Sequence, residues 1–140
     1  MKKRTVLLDT NFLLTPGRLK LDVFQEINKV VAEPHELAVL DKNVEELKKL
    51  GEINKNKRVV NIAQGLLEKN QVKIIKTKSF LKDIELHGLN DADDYIVKIV
   101  KSSPEQFIVA TQDKELKKRL RNLGVKVIFI RKKSFVELEG

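Results

Sequence analysis

Four carboxylates stand where chemistry could be done. Asp9 closes the apolar run Thr5-Val-Leu-Leu8, and Asp113 follows Phe107-Ile-Val-Ala-Thr111. A carboxylate at the C-terminal end of a parallel strand lies in the crevice where open α/β sheets bind ligands. Glu46 and Asp93 lie on two helical stretches, beside their apolar stripes, with Asp93 in the first turn of its own. Four such groups at one end of a sheet repel one another unless a cation holds them. The expected chemistry is a divalent metal site built from oxygen donors, the set that Mg²⁺ and Mn²⁺ prefer. Cysteine is absent, and His35 and His87 are isolated, so a zinc site is not expected.

Helical angle separates each acid from its acidic neighbour. Around Glu46, the residues Val44, Leu47 and Leu50 read as the buried stripe, and Glu46 lies four residues before Leu50. Glu45 shares a solvent face with Lys48, Lys49 and Glu52. In Asn90-Asp-Ala-Asp-Asp-Tyr-Ile-Val, Ala92, Ile96, Ile99 and Val100 read as inward, and Asp93 borders them. Asp94 has Lys98 and Lys101 at i+4 and i+7, which suits a surface ion pair. Asp91 is either a helix cap or a group that reaches a cation through water. Asp113 also fits the N-cap of the stretch it precedes. Thr10, Asn11 and Thr111 are short polar groups placed to orient carboxylates by hydrogen bonds, or to satisfy strand-end backbone.

The elements that position these groups alternate. Short, nearly continuous apolar runs predict strands at Thr5–Leu8, Leu37–Leu40, Val72–Lys76, Gln106–Ala110 and Val125–Ile130. Helices are expected near Lys20–Val31, Lys42–Leu50, Lys57–Asn70, Asp91–Lys101 and Lys114–Leu123. Such alternation means βαβ units, a parallel sheet and helices on both faces. Pro16-Gly17 reads as a break after the first strand, Asp41 and Asn90 as N-caps, and Gly124 as a C-cap. The connection over residues 77–89 is long enough to be functional or to hide a short helix.

At 140 residues, the chain is expected to form one domain over 1–140. No stretch is long and apolar enough for a membrane span, and the opening Met-Lys-Lys-Arg does not read as a secretory signal, so a cytoplasmic protein is expected. The net charge of +8 is concentrated: residues 114–133 hold nine Lys or Arg and one Glu. A basic block beside an acidic cluster would hold a polyanion near a metal. Lys114, Lys117, Lys118 and Arg121 recur at helical spacing, and with Arg131, Lys132 and Lys133 they form a candidate RNA-binding track. One Tyr and six Phe make a base-stacking platform an unpromising expectation, so shape recognition is expected instead.

Taken together, Leu8-Asp9-Thr10-Asn11, Val44-Glu45-Glu46-Leu47-Lys48-Lys49-Leu50, Ala92-Asp93-Asp94-Tyr95-Ile96-Val97 and Ala110-Thr111-Gln112-Asp113-Lys114-Glu115-Leu116 resemble the PIN-domain nucleases. The second and fourth pieces are most similar to the archaeal ribosomal-RNA-processing branch. Toxin nucleases of toxin–antitoxin pairs share the same four acids. The resemblance implies a three-layer α/β/α sandwich around a five-stranded parallel sheet. It implies Mg²⁺ or Mn²⁺ held by Asp9, Glu46, Asp93 and Asp113, and endonucleolytic cleavage of single-stranded or looped RNA. It further implies RNA as a partner, with ribosome-assembly factors or an antitoxin beside it, and often a homodimer. One departure is Asp94, where toxin relatives often carry a small apolar residue. A non-catalytic RNA-binding module of the same fold is the rival reading. A phosphatase is disfavoured because Asn11 replaces the second acid of Asp-x-Asp, and a nucleotide-binding switch because a Gly-x-x-x-x-Gly-Lys loop is absent.

Overall fold

The computed structural model describes residues 3–140, so the first two residues of the Met-Lys-Lys-Arg opening lie outside the described residues. Strands β1 (Arg4–Leu8), β2 (His35–Leu40), β3 (Lys73–Ile75), β4 (Phe107–Ala110), β5 (Lys126–Arg131) and β6 (Phe135–Glu139) form one sheet in the order β3-β2-β1-β4-β5-β6. The first five are parallel, and β6 returns antiparallel to β5. The sheet among the described residues is therefore six-stranded, not five-stranded as expected. The sixth strand is hidden in the sequence because Phe135-Val-Glu-Leu-Glu is not a continuous apolar run. Its turn is also disguised: Lys132 and Lys133 adopt positive φ of 54° and 57°, a geometry that usually calls for Gly or Asn.

Side-chain alternation along the central strands builds two cores. Val6, Leu8, Ile108 and Ala110 point to one face, where they meet α1 (Thr10–Leu13), α2 (Thr15–Leu19), α3 (Val23–Val30), α4 (Asp41–Gly51) and α5 (Lys57–Lys69). Leu7, Phe107 and Val109 point to the other, against α7 (Ala92–Lys101), α8 (Lys114–Asn122) and Leu81, which follows the short α6 (Thr77–Phe80). Ile96, Ile99 and Val100 are fully buried and fix the face that α7 turns to the sheet. Truncating one of them to Ala would cost about 2–5 kcal/mol and loosen the helix that carries Asp93. This is the three-layer α/β/α sandwich that the alternation predicts. Among the described residues, no helix is long and apolar enough to cross a membrane.

Several boundaries move for local reasons. Pro16 and Gly17 do not break the chain but lie inside α2, with Pro16 in its first turn. A Cβ on Gly17 would sit 3.0 Å from the Val59 backbone, so glycine lets α2 lie against α5. The long connection over 77–89 does contain α6, followed by a 3-10 turn over Asp83–Leu86. The N-cap of α7 is Asp91, not Asn90. Asp41 is the first residue of α4, and its Oδ1 accepts from the Lys42 and Thr77 N–H groups, tying α4 to α6. Gly124, at φ 74°, closes α8 as expected.

Candidate active site

The strand order reverses at β1: the chain runs outward from β1 to β3, then crosses back to place β4 on the other side of β1. The crevice at the C-terminal ends of β1 and β4 is thus the topological switch point of the sheet, where open α/β folds place their ligands. Asp9 stands in it. Leu8 pairs with Ala110 in register, and the Asp9 N–H continues the ladder by donating to the Ala110 carbonyl at 2.9 Å. His35, at the start of β2, lies at the opposite end of the sheet and is bonded to Glu33 and Asn28.

Asp9 is only 3% exposed, and neutral donors hold its carboxylate. The Thr10 N–H donates to Oδ1 at 2.9 Å, and the Thr111 hydroxyl donates to Oδ2 at 2.8 Å. Thr111 Oγ1 in turn accepts from the Asp113 N–H at 3.0 Å, so one threonine couples the two strand-end acids. Asp113 also caps α8 by accepting from the Leu116 N–H at 3.0 Å. Capping and a place in the crevice, set against each other by the sequence, are both properties of this residue.

Asn43 is the residue that sequence reasoning missed. Its side chain is buried, 1% exposed, and its Nδ2 donates to Thr10 Oγ1 at 3.0 Å and reaches Asp9 Oδ1 at 3.5 Å. Its Oδ1 is a buried acceptor that no described hydrogen bond satisfies. The signal was available: Asn43 lies one turn before Glu46 and four residues before Leu47, so the inward stripe of α4 is Asn43 and Leu47, with Val44 and Leu50 only half-buried. Asn11, expected to orient carboxylates, is exposed, and its side chain makes no hydrogen bond among the described residues. Position 11 is the second residue of α1, and its side chain points to solvent.

The α7 acids divide sharply. Asp94 is not paired with Lys98 or Lys101 as expected. It accepts from the Asn90 N–H at 3.1 Å and from Arg119 of α8 at 3.1 Å. The Asn90 hydrogen bond and the Arg119 guanidinium hold its carboxyl below the usual carboxylate range. Asp91 caps the helix by accepting from the Asp94 N–H at 3.0 Å. Asp93, between them, has no ion pair among the described residues. Burial first, then the charges of Asp9, Asp113, Asp91 and Glu46, raise its pKa to about 7. Asp9 is raised to about 6, mainly by burial, with the Thr111 and Thr10 hydrogen bonds opposing and Glu46 and Asp113 adding to the rise. The structure thus brings Asp9, Glu46, Asp93 and Asp113 within electrostatic reach of one another, from four separate segments.

This donor set fits a hard divalent cation: carboxylate oxygens only, two of them with pKa values raised by burial first and by their acidic neighbours second. Among the described residues, no three acidic or imidazole side chains stand close enough to ligate one ion as placed. Beside Glu46, a cavity of about 280 Å³ opens between α4 and the start of α7.

The basic track is less free than its sequence implies. Arg121 pairs with Glu139, and Arg131 pairs with Glu137 at 2.6 Å. Lys117 holds its ammonium 3.7 Å from the centre of the Phe129 ring, and burial lowers its pKa. Lys114, Lys118, Lys132 and Lys133 are exposed and have no ion-pair partner among the described residues.

A switch-point crevice lined by carboxylates marks an α/β protein built to hold a cation there. The chain belongs to the PIN-like domain family, which matches residues 6–133, and has the PIN nuclease fold. It is 32% identical over 136 residues, 94% of each chain, to the protein named ribonuclease VapC4 of Methanocaldococcus jannaschii. The solved structure of the PIN domain endonuclease Utp24 superimposes with a TM-score of 0.76 at 26% identity, over 96% of this chain and 90% of that one. VapBC2 from Rickettsia felis, bound to a DNA fragment from its promoter, shares the fold at TM-score 0.58 and 15% identity, over 89% of this chain and 98% of that chain.

Proposed function

We propose that the chain is a divalent-metal-dependent endoribonuclease that hydrolyses RNA phosphodiester bonds. The observation that carries this reading is the gathering of acids from four segments at the switch point: Thr111 joins Asp9 to Asp113, and Glu46 and Asp93 lie near enough to add to the burial that raises the pKa of Asp9 and Asp93. These four would hold Mg²⁺ or Mn²⁺. When bound, such a cation supplies Lewis acidity that makes water nucleophilic near neutral pH and offsets phosphate charge. The chain's own residues do the positioning. Thr10, Thr111 and Asn43 fix the Asp9 carboxylate in one orientation, and Thr111 sets the spacing to Asp113. Asp94 anchors α7 to α8 through Arg119 and so holds Asp93 at the crevice. Lys114, Lys118, Lys132 and Lys133 would carry the flanking RNA backbone.

The resemblance of Val44–Leu50 and Ala110–Leu116 to the ribosomal-RNA-processing branch, on a fold shared with the endonuclease Utp24, favours a role in ribosomal RNA processing, alongside assembly factors. The identity to ribonuclease VapC4 favours a second reading, a toxin ribonuclease neutralised by an antitoxin. Cleavage of structured RNA with Mn²⁺ tests the shared claim: the parent should cut, a chelator should stop it, and folded Asp9→Asn and Asp93→Asn variants should be inactive. Equal cutting by all three would refute it. Growth arrest on expression, rescued by the product of a neighbouring gene, would select the toxin reading. Accumulated unprocessed ribosomal RNA in a deletion strain would select the other.

A further inference from the structure

Tyr95 is the one tyrosine of the chain, and no tryptophan accompanies it. A count of aromatics argues against base stacking, but position matters more than number. Tyr95 lines the 280 Å³ cavity that opens beside Glu46, on the flank of the acidic crevice. That volume falls just under the range of about 300–1,000 Å³ that small-ligand sites span, which suits a single nucleoside-sized group.

We propose that this cavity, between α4 and the start of α7, receives one unpaired base of the RNA, stacked on Tyr95, and favours a base whose edge carries an amino group. The proposal rests on the nuclease reading, because the cavity adjoins the groups that would hold the scissile phosphate.

Charge decides what fits. The walls carry the carboxylates of Glu45, Glu46 and Asp91 against the ammonium groups of Lys42 and Lys49. With Glu46 committed to the cation, Glu45 and Asp91 balance Lys42 and Lys49, so the cavity has no net pull on a phosphate and favours a neutral group bearing hydrogen-bond donors. A nucleobase with an exocyclic amine meets that description: carboxylates accept from the cytosine N4 amine, whereas uracil presents a carbonyl at the same position. The face of the ring already takes a partner, since Lys42 Nζ lies 5.1 Å from its centre. A base entering the cavity replaces that ammonium over the ring. Lys42, which also reaches Glu45 at 3.7 Å, is then released toward the adjoining phosphate. Unpaired bases splayed from a backbone are commonly read this way, by an aromatic face and hydrogen bonds to the base edge.

The experiment reads the cavity without metal or cleavage. The ring signals of Tyr95 are the only tyrosine resonances of the protein. They are followed by NMR in EDTA while cytidine or uridine is added, two nucleosides that share a ring and differ at the amino position. Cytidine should move the Tyr95 signals upfield saturably and bind several-fold more tightly than uridine, and exposed Glu45→Gln should narrow that difference. In Mn²⁺, Tyr95→Leu should raise the KM for an unpaired RNA about tenfold, as loss of a stacked base does, with the Mn²⁺ affinity unchanged. No saturable shift with either nucleoside, or equal binding of the two, would overturn the proposal even if the protein cleaves RNA. A protein that binds cytidine selectively but never cleaves would keep the cavity assignment and remove the nuclease reading instead.

Discussion

Asp9 is buried with both oxygens held by uncharged groups, whereas Arg121 and Arg131, on the surface, each already rest on a carboxylate of β6. The acidic crevice keeps its charge uncompensated, while part of the basic block is neutralised from within. The difference teaches that a charge count overstates a surface and understates a buried site. Exposed pairs are screened by water and salt and contribute little, but like charges drawn together under partial burial strongly favour a cation. The crevice should therefore dominate function, and the basic surface should only modulate it.

The sharpest way to break that contrast is to neutralise one member of each region. Asp93→Asn should lower Mn²⁺-supported RNA cleavage roughly 10³-fold, the scale of losing metal-derived barrier lowering. Lys118→Ala, measured in the same assay, should change kcat little. Comparable losses in the two variants would erase the distinction.

The next comparison lies within the crevice, between two asparagines. Asn43→Ala should cost about 10–100-fold in cation affinity or activity, because it removes a hydrogen-bonded support of Thr10 and Asp9. Asn11→Ala should leave both unchanged, because its side chain faces solvent. Isothermal titration with Mn²⁺ separates them.

Stability against pH sharpens the account further. An acid whose pKa is raised on folding holds its proton in the folded state after the unfolded chain has lost it, so stability falls as pH rises from the unfolded to the folded value. Asp9 and Asp93 place this loss between about pH 4 and pH 7. For buried Asp9 the loss is on the order of 2–3 kcal/mol. In EDTA at pH 7.5, Asp93→Asn should therefore melt above the parent. At pH 3, where the carboxyl is protonated in the folded and unfolded chain alike, the two should melt together. A parent that gains stability through this window more than Asp93→Asn does would contradict the assigned coupling.

The smallest effect is expected on the basic surface. Each free lysine that contacts phosphate contributes about one unit to the salt dependence of RNA binding, so Lys132→Ala should lower the slope by about one. Arg131→Ala should lower it less, since Glu137 already engages that guanidinium. Anisotropy of labelled RNA across a salt series measures both.

Much of this organisation was legible in the residues. Five apolar runs disclosed the parallel strands, because strands covered on both faces must be continuously apolar. Asp9 and Asp113 followed from their places at strand ends, and Asp93 was separated from Asp94 by helical angle alone. What escaped has a physical reason in each case. β6 is half-exposed and enters through a turn of two lysines at positive φ. Helices α1 and α2 are too short for periodicity to register. Asn43 was passed over because spacing gives an uncharged amide its inward place on α4 but not its partners, which show only once Thr10 and Asp9 are beside it. The Arg119–Asp94 pair joins two helices far apart in sequence, so local spacing pointed to Lys98 and Lys101 instead.

Direct titration of the metal-free protein with Mn²⁺ at pH 7.5, followed by calorimetry, tests the central claim most simply. Saturable binding that is lost in folded Asp9→Asn and in folded Asp93→Asn is the expected result. Binding of equal affinity in all three proteins, or none in a folded parent, would mean that these four carboxylates do not act as one site.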